Sequence, residues 1–300
     1  MKKYEPILVD QNSKDYPCLL KEACHPPEKL YIKGDLKNLE ENFKVCLSVV
    51  GSRKMTPYGK RAVQRYVKRL ASAGITIVSG FMYGIDAEAH RAALSVGGKT
   101  IAVMPCGINR ICPSSQRDLY YELLDSGGLV ISEYPGETSE KKWTFPKRNR
   151  IVAGLSQAVL VVEAGKKSGT LITANYARKS SRKTFVVPGS IFSANSDGIY
   201  QLVEKGATVA YSPFKIKEFY EERSAVNSGV QQPLLSSTGS KVSRLDKIDE
   251  EILAAIKASP LSVDELILKL KEPAEVLIAK LTSLSLKGLI IEEGDKYYVG

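Results

Sequence analysis

Three short segments place small polar residues where an apolar run ends. They are Val50-Gly51-Ser52-Arg53, Val78-Ser79-Gly80 and Glu163-Ala164-Gly165-Lys166-Lys167-Ser168-Gly169-Thr170. Glycine and serine leave backbone N–H groups uncovered, and the hydroxyls add donors. Arg53 offers a planar guanidinium fork that matches a phosphate. A helix that starts after such a turn favours negative charge at its N-terminus. The chemistry implied is anion binding. One turn of this kind also serves merely as a tight bend; three sharing one sheet edge argue for a site.

A fourth segment is the most distinctive: Lys141-Lys142-Trp143-Thr144-Phe145-Pro146-Lys147-Arg148-Asn149-Arg150. Half of its residues are basic, and it holds the only tryptophan of the chain. Lys147, Arg148 and Arg150 run into Ile151-Val152-Ala153, which reads as a helix start. Cations there oppose the helix dipole, so local stability does not account for them, whereas a bound phosphate does. Basic groups interleaved with aromatics are the composition of a single-strand groove, where bases stack and phosphates pair. The competing reading is a solvated charged loop with Trp143 capping the core.

Other constellations are weaker. The chain has no GxxxxGK[ST], no GxGxxG after Gly51, and no acidic residue after Ser79-Gly80, so P-loop and dinucleotide fingerprints are absent. A mononucleotide or a run of phosphates stays open. Asp86 and His90 stand four apart on a helical stretch, close enough to meet. They fit an acid/base pair less well than a structural hydrogen bond fixing the loop Gly80–Gly84. Glu163 either polarises a substrate or holds a neighbouring N–H, the second reading being preferred. With only His25 and His90, a zinc site is poorly supplied. Cys106 and Cys112 could bind a metal together with a histidine, but neither a metal nor another cofactor is expected, and no catalytic residue is assigned.

The elements that must position these residues alternate along the chain. Apolar, largely β-branched runs at Val45–Val50, Ile75–Val78, Thr100–Met104, Leu129–Ile131, Ala158–Val162, Thr184–Val187 and Thr208–Ala210 read as strands buried on both faces. Helical stretches such as Tyr58–Ala73, Ile85–Val96 and Thr170–Ser180 lie between them. The fold class expected is α/β, a doubly wound parallel sheet. Residues 1–44 read as an irregular lead-in and residues 45–223 as the sheet domain. Residues 224–243 form a charge-poor linker by composition, and residues 244–300 a small winged-helix-like domain. In that last unit Ser262-Val263-Asp264-Glu265 reads as a capping box, Pro273 as a helix start, Gly288 as a helix stop, and Leu289–Val299 as a hairpin.

Charge and composition narrow the classes. The chain has 300 residues with 25% charged and a net charge of +10. From Ser243 onward there are 8 basic and 11 acidic side chains, a net of −3, so residues 1–242 carry +13. A surplus of that kind suits a polyanion, nucleic acid above all. No run approaches the roughly 20 apolar residues of a membrane helix, and the N-terminus lacks the apolar run of a signal peptide. Five cysteines without a CxxC pair fit a reducing compartment, so the expected location is the cytoplasm.

Taken in order, these motifs resemble the DprA/Smf family of DNA-processing proteins. They are Val49-Val50-Gly51-Ser52-Arg53, Ser79-Gly80 with Gly84-Ile85-Asp86 and Ala89-His90, Thr100–Val103, Ile131-Ser132-Glu133, and Phe145–Arg150. Val162-Glu163 with Ser168–Thr173, Val187-Pro188-Gly189 and Gly206-Ala207 close the series. The resemblance implies an extended Rossmann-like domain, a doubly wound parallel sheet that binds single-stranded DNA, together with a homodimer and loading of the RecA recombinase during natural transformation. Its DNA groove would be formed by Gly51, Ser52, Arg53, Ser79, Gly80, Lys147, Arg148, Asn149, Arg150, Ser168, Gly169 and Thr170. Phe81-Met82-Tyr83 departs from the smaller residues expected after Ser79-Gly80, and Ile111-Cys112-Pro113 lacks the usual aromatic before proline. The alternative is a nucleotide-processing enzyme of the phosphoribohydrolase type, whose PGGxGTxxE loop is missing here.

Overall fold

The computed structural model describes residues 4–227, 246–286, 289–293 and 295–299. The chain divides into two compact units, Met1–Gln231 and Gln232–Gly300.

In the larger unit nine strands form one sheet. They are β1 (Ile7–Asp10), β2 (Lys29–Gly34), β3 (Cys46–Val50), β4 (Thr76–Ser79), β5 (Thr100–Gly107), β6 (Leu129–Tyr134), β7 (Ala158–Val161), β8 (Lys183–Val186) and β9 (Thr208–Val209), in the order β1-β2-β6-β5-β4-β3-β7-β8-β9. From β6 across to β9 every pairing is parallel, while β2 joins β6, and β1 joins β2, antiparallel. The sheet is therefore the expected doubly wound one with an antiparallel edge added. Residues 1–44, expected as an irregular lead-in, supply that edge. Leu30 and Ile32 of β2 are fully buried, but an alternation this short, between prolines and charges, carries little period-2 signal.

Helices cover both faces: α1 (Cys18–Lys21), α2 (Leu39–Lys44), α3 (Pro57–Ser72), α4 (Ile85–Leu94), α5 (Arg117–Asp125), α6 (Thr144–Gly154), α7 (Thr170–Lys179), α8 (Asp197–Glu204) and α9 (Pro213–Asn227). Alternation along β3 sends Leu47 and Val49 to one face, against Val63 and Leu70 of α3 and Ile85 and Ala89 of α4. Cys46 and Val50 go to the other, with Ile151 and Val152 of α6 and Ala174 and Ala177 of α7. Burial on both faces explains why the strands read as unbroken apolar runs. Among the described residues no helix is long and apolar enough to cross a membrane.

The chain runs outward from β3 through β4 and β5 to β6, then returns to lay β7 on the other side of β3. The strand order reverses there, and at such a switch point the loops leaving the two strands part and open a crevice.

The smaller unit holds α10 (Lys247–Ala258), β10 (Leu261–Ser262), α11 (Val263–Leu270), α12 (Ala274–Leu286), β11 (Ile290–Glu293) and β12 (Lys296–Val299). Its sheet runs β10-β12-β11. The capping box at Ser262 and Glu265 is present, and Asp246 and Asp249 form a second one at the start of α10. Ile252, Ile256, Leu266, Leu277, Leu281 and Leu284 build its core. Three helices and a small hairpin sheet make the winged-helix architecture. Ser224 to Asn227 of the expected linker belong to α9; its remainder, and the expected helix stop Gly288, lie outside the described residues.

Candidate nucleic-acid interface

A crevice of about 640 Å³ opens at the switch point. The turn after β3 (Gly51, Ser52, Arg53, Lys54), Gly80 after β4, one face of α6, and the start of α7 with Ser168 and Gly169 enclose it. Nine of the twelve sequence-assigned residues line it: Gly51, Ser52, Arg53, Gly80, Arg148, Asn149, Ser168, Gly169 and Thr170.

The turns are fixed by close approach. A Cβ on Gly51 would lie 2.6 Å from Ile85 Cγ1, so only glycine lets the β3 turn rest on the start of α4. The Ile85 amide then donates to the Ser52 carbonyl at 3.2 Å. The Ser52 hydroxyl closes its own turn by accepting from the Lys54 amide at 3.1 Å. Across the crevice the Ser168 hydroxyl accepts from the Thr170 amide at 3.2 Å, and the Asn149 side-chain amide donates to the Gly169 carbonyl at 3.4 Å. The N-terminus of α7 thus faces the crevice, where its dipole favours an anion.

Arg148 forms the floor. Its guanidinium is buried and donates to the carbonyls of Gly80 and Val103. A Cβ on Gly80 would come within 2.6 Å of both Arg148 Nη2 and Asp86 Oδ2, so the two charges flank this glycine. Burial pushes the Asp86 carboxyl above its usual range, while the nearby Arg148 holds it down. Burial likewise lowers Arg148 to about 10. Asp86 also accepts from the Met82 amide at 3.4 Å, so it fixes the loop before α4 as its structural reading requires. His90 does not join it: its Nδ1 meets the Thr100 hydroxyl at 2.7 Å inside the core. Glu163 binds the amide and hydroxyl of Thr56, the cap of α3, and so has a structural role.

Arg53 is exposed rather than at the floor, and its guanidinium lies over the Phe145 ring, 5.2 Å from the centroid. Lys54, Lys142, Phe145 and Asn195, which are not among the twelve expected positions, also line the crevice. With Arg53, Lys54, Lys142 and Arg148 against the single carboxylate of Asp86, the lining is strongly cationic.

Three assigned residues stand elsewhere. Ser79 is buried and donates to the Val49 carbonyl at 2.6 Å, tying β4 to β3. Lys147 and Arg150 turn away because α6 starts at Thr144, not at Ile151 as expected. On a helix from Thr144, residues 145, 148, 149 and 152 share one face, and 147 and 150 another. Lys147 and Arg150 grip Glu133, at 3.4 and 2.5 Å, and Arg150 also donates to the His25 carbonyl at 2.7 Å. Trp143 does not cap the core: it is 52% exposed, with Lys147 Nζ 5.8 Å from its ring centroid. The unusual Phe81 is fully buried at φ 58°, its ring tilted against His90 and edge-on to Tyr120, so the core absorbs it, while Met82 beside it lines the crevice.

Comparison with known proteins gives the family of the chain. Residues 8–221 match the family model for DNA recombination-mediator protein A, and residues 238–296 match the DprA winged helix domain. Protein Smf of Synechocystis sp. is 33% identical over 98% of this chain and 80% of its own length. The DNA processing protein DprA of Bacillus subtilis is 40% identical over 71% of this chain and 70% of its own. Among solved structures, DNA processing protein A from Streptococcus pneumoniae superposes with a TM-score of 0.66 at 37% identity, covering 71% of this chain and 74% of that one. DNA processing protein A from Helicobacter pylori, studied for its single-stranded DNA binding mode, gives 0.64 at 30% identity over 74% and 97%. These matches leave no support for the phosphoribohydrolase alternative, whose loop is missing between Gly165 and Thr170. With its sheet domain and its winged helix both matched, in that order along the sequence, the chain belongs to the DprA/Smf family of DNA-processing proteins.

Proposed function

We propose that this protein binds single-stranded DNA in the switch-point crevice, without catalysis, and acts in DNA processing during natural transformation. The observation that carries this reading is the pairing of cations with a half-buried aromatic in one groove. Arg53, Lys54 and Lys142 are exposed there, and Phe145 stands under the Arg53 guanidinium. The lysines and Arg53 take phosphates, and the ring stacks a base of any identity. Asp86, His90 and Glu163 are engaged in structural hydrogen bonds, which supports a binding role without chemistry. The working form is a cytoplasmic homodimer, whose two grooves share one strand, and its product complex is handed to the RecA recombinase.

A salt titration of binding to single-stranded and duplex oligonucleotides tests the reading. Three exposed cations correspond to a slope of roughly −2 in log K against log salt per groove, at about −0.7 per phosphate on single strands. Tighter binding to duplex, or a slope near zero, removes the proposal. Light scattering and affinity against oligonucleotide length test the dimer, because a second groove raises affinity steeply once the strand spans both.

A further inference from the structure

Two cysteines outside the groove meet a third donor that is not a histidine. Cys106 lies in β5 close to its C-terminal end, and Cys112 follows the turn after that strand. The turn is pinned to the segment after β6: the Gly107 amide donates to the Thr138 carbonyl at 2.7 Å and the Asn109 amide to the Gly136 carbonyl at 2.9 Å. The same segment continues to Glu140. The two sulfurs and a Glu140 carboxylate oxygen all lie within 4.8 Å of one another. Donors around one tetrahedral ion at 2.0–2.3 Å stand about 3.4–3.8 Å apart, so a small inward rotation of side chains completes the set.

We propose that Cys106, Cys112 and Glu140 bind a thiophilic divalent cation of the zinc type, with water in the fourth position. Both thiols give their protons to solvent as the two metal–sulfur bonds form. Two thiolates, a carboxylate and a dication sum to one negative charge, which the Arg110 guanidinium offsets. Arg110 Nε donates to Glu140 Oε2 at 2.7 Å, leaving the other oxygen for the ion and orienting it. The sulfurs are buried and the Glu140 side chain is 30% exposed, so the ion has soft ligands inside and an entry path from solvent. Bound there, it clamps the end of β5 to the segment leading into Lys142 and α6, and thus braces one wall of the groove.

The test is a cadmium titration of the reduced, metal-free full chain, followed by the ultraviolet thiolate-to-metal charge-transfer band, with melting measured at increasing free zinc. The expected result is a band saturating at one ion per chain and a melting temperature that rises with zinc. Cys112→Ser abolishes the band. Glu140→Gln and Arg110→Ala weaken binding by about 10- to 100-fold; these partly exposed positions keep the test decisive if the cysteine variant fails to fold. Replacing Cys18 and Cys24 by serine leaves the band intact. No band, a band lost in the Cys18 and Cys24 variant, or a band with unchanged affinity in both Glu140→Gln and Arg110→Ala overturns the assignment.

Discussion

Arg148→Ala separates a brace from a ligand. The side chain is 3% exposed and donates to the Gly80 and Val103 carbonyls, with Asp86 on the other side of Gly80. Its removal strands a buried carboxylate and two carbonyl acceptors. Losing one member of a buried charge pair costs about 3–5 kcal/mol. In a unit of this size each kcal/mol lowers the melting temperature by about 2–4 °C, so the shift is about 10 °C. Asp86 relieves part of the cost by taking a proton. Its carboxyl is already raised by burial, and the Arg148 charge is what holds it down. In the variant its folded pKa rises further, so stability is greatest below the ordinary value of 3.8 and falls as pH rises through the folded value. The destabilisation therefore grows from acid toward alkaline pH. Asp86→Asn in the same chain removes the stranded charge, and the double variant loses less than the sum of the single ones by about 1–3 kcal/mol. Circular-dichroism melts across pH, with DNA affinity measured well below the melting range, read all of this. If Arg148→Ala melts within about 1 °C of the parent yet binds single strands tenfold more weakly, Arg148 is a phosphate ligand and the reasoning fails.

The other expectations are shorter. Arg53→Ala leaves stability within about 0.5 kcal/mol and weakens single-strand binding by about 1–2 kcal/mol, the lower part of the range for a charge-assisted bond; unchanged affinity counts against the groove. Phe145→Ala weakens all base sequences alike, by about 1–3 kcal/mol, and a sequence-dependent loss in an oligonucleotide panel contradicts stacking. Lys142→Ala lowers the salt slope by about 0.7 and Lys147→Ala does not, because Lys147 faces Glu133 on the other side of α6; equal effects refute the assignment of helix faces. Burial lowers His90 from its ordinary 6.5 to about 3. The unfolded chain binds the extra proton between these values, so the contribution is complete above 6.5 and falls by about 1.4 kcal/mol per pH unit toward 3; His90→Gln flattens the acid limb of the stability curve, and an unchanged limb places the titration elsewhere.

The fold was legible wherever strands are buried on both faces. The runs from Val45 to Ala210 have no polar alternation to confuse them, and every one became a strand within two residues except where β5 and β6 run on at their C-terminal ends. The edge strands β1 and β2 were not legible, because β1 has only four residues and only half of the six in β2 are apolar. The site was legible in its turns, since Gly51, Gly80 and Gly169 lie in turns on the groove itself. It failed on α6, where one boundary misplaced two side chains, Lys147 and Arg150. Pro146 sits at the third helical residue, in the first turn where its missing N–H costs nothing. Placing the start before that proline would have put Phe145, Arg148, Asn149 and Val152 on one stripe and sent Lys147 and Arg150 to Glu133.

The winged helix carries the remaining step. Its residues from Ser243 on have a net charge of −3, which already disfavours a phosphate backbone. The third helix, which enters the major groove in duplex-reading members of this architecture, also lacks a free cation where one would be needed. Lys280 is the only basic residue among the described positions of α12, and it is held by Asp246 and by Asp249, the latter at 3.5 Å. Those two carboxylates form the capping box of α10, so the lysine closes the unit's own fold. Its exposed side chains include the apolar Val276 and Ile278, 36% and 52% exposed, and the acidic Glu275. Exposed apolar side chains on a net negative unit suit contact with protein better than contact with DNA. If phosphates go to the proposed switch-point groove of the sheet, the two units divide by charge, and Lys280→Ala is expected to melt the winged helix earlier while leaving oligonucleotide affinity unchanged. A loss of affinity without a change in melting would falsify that division.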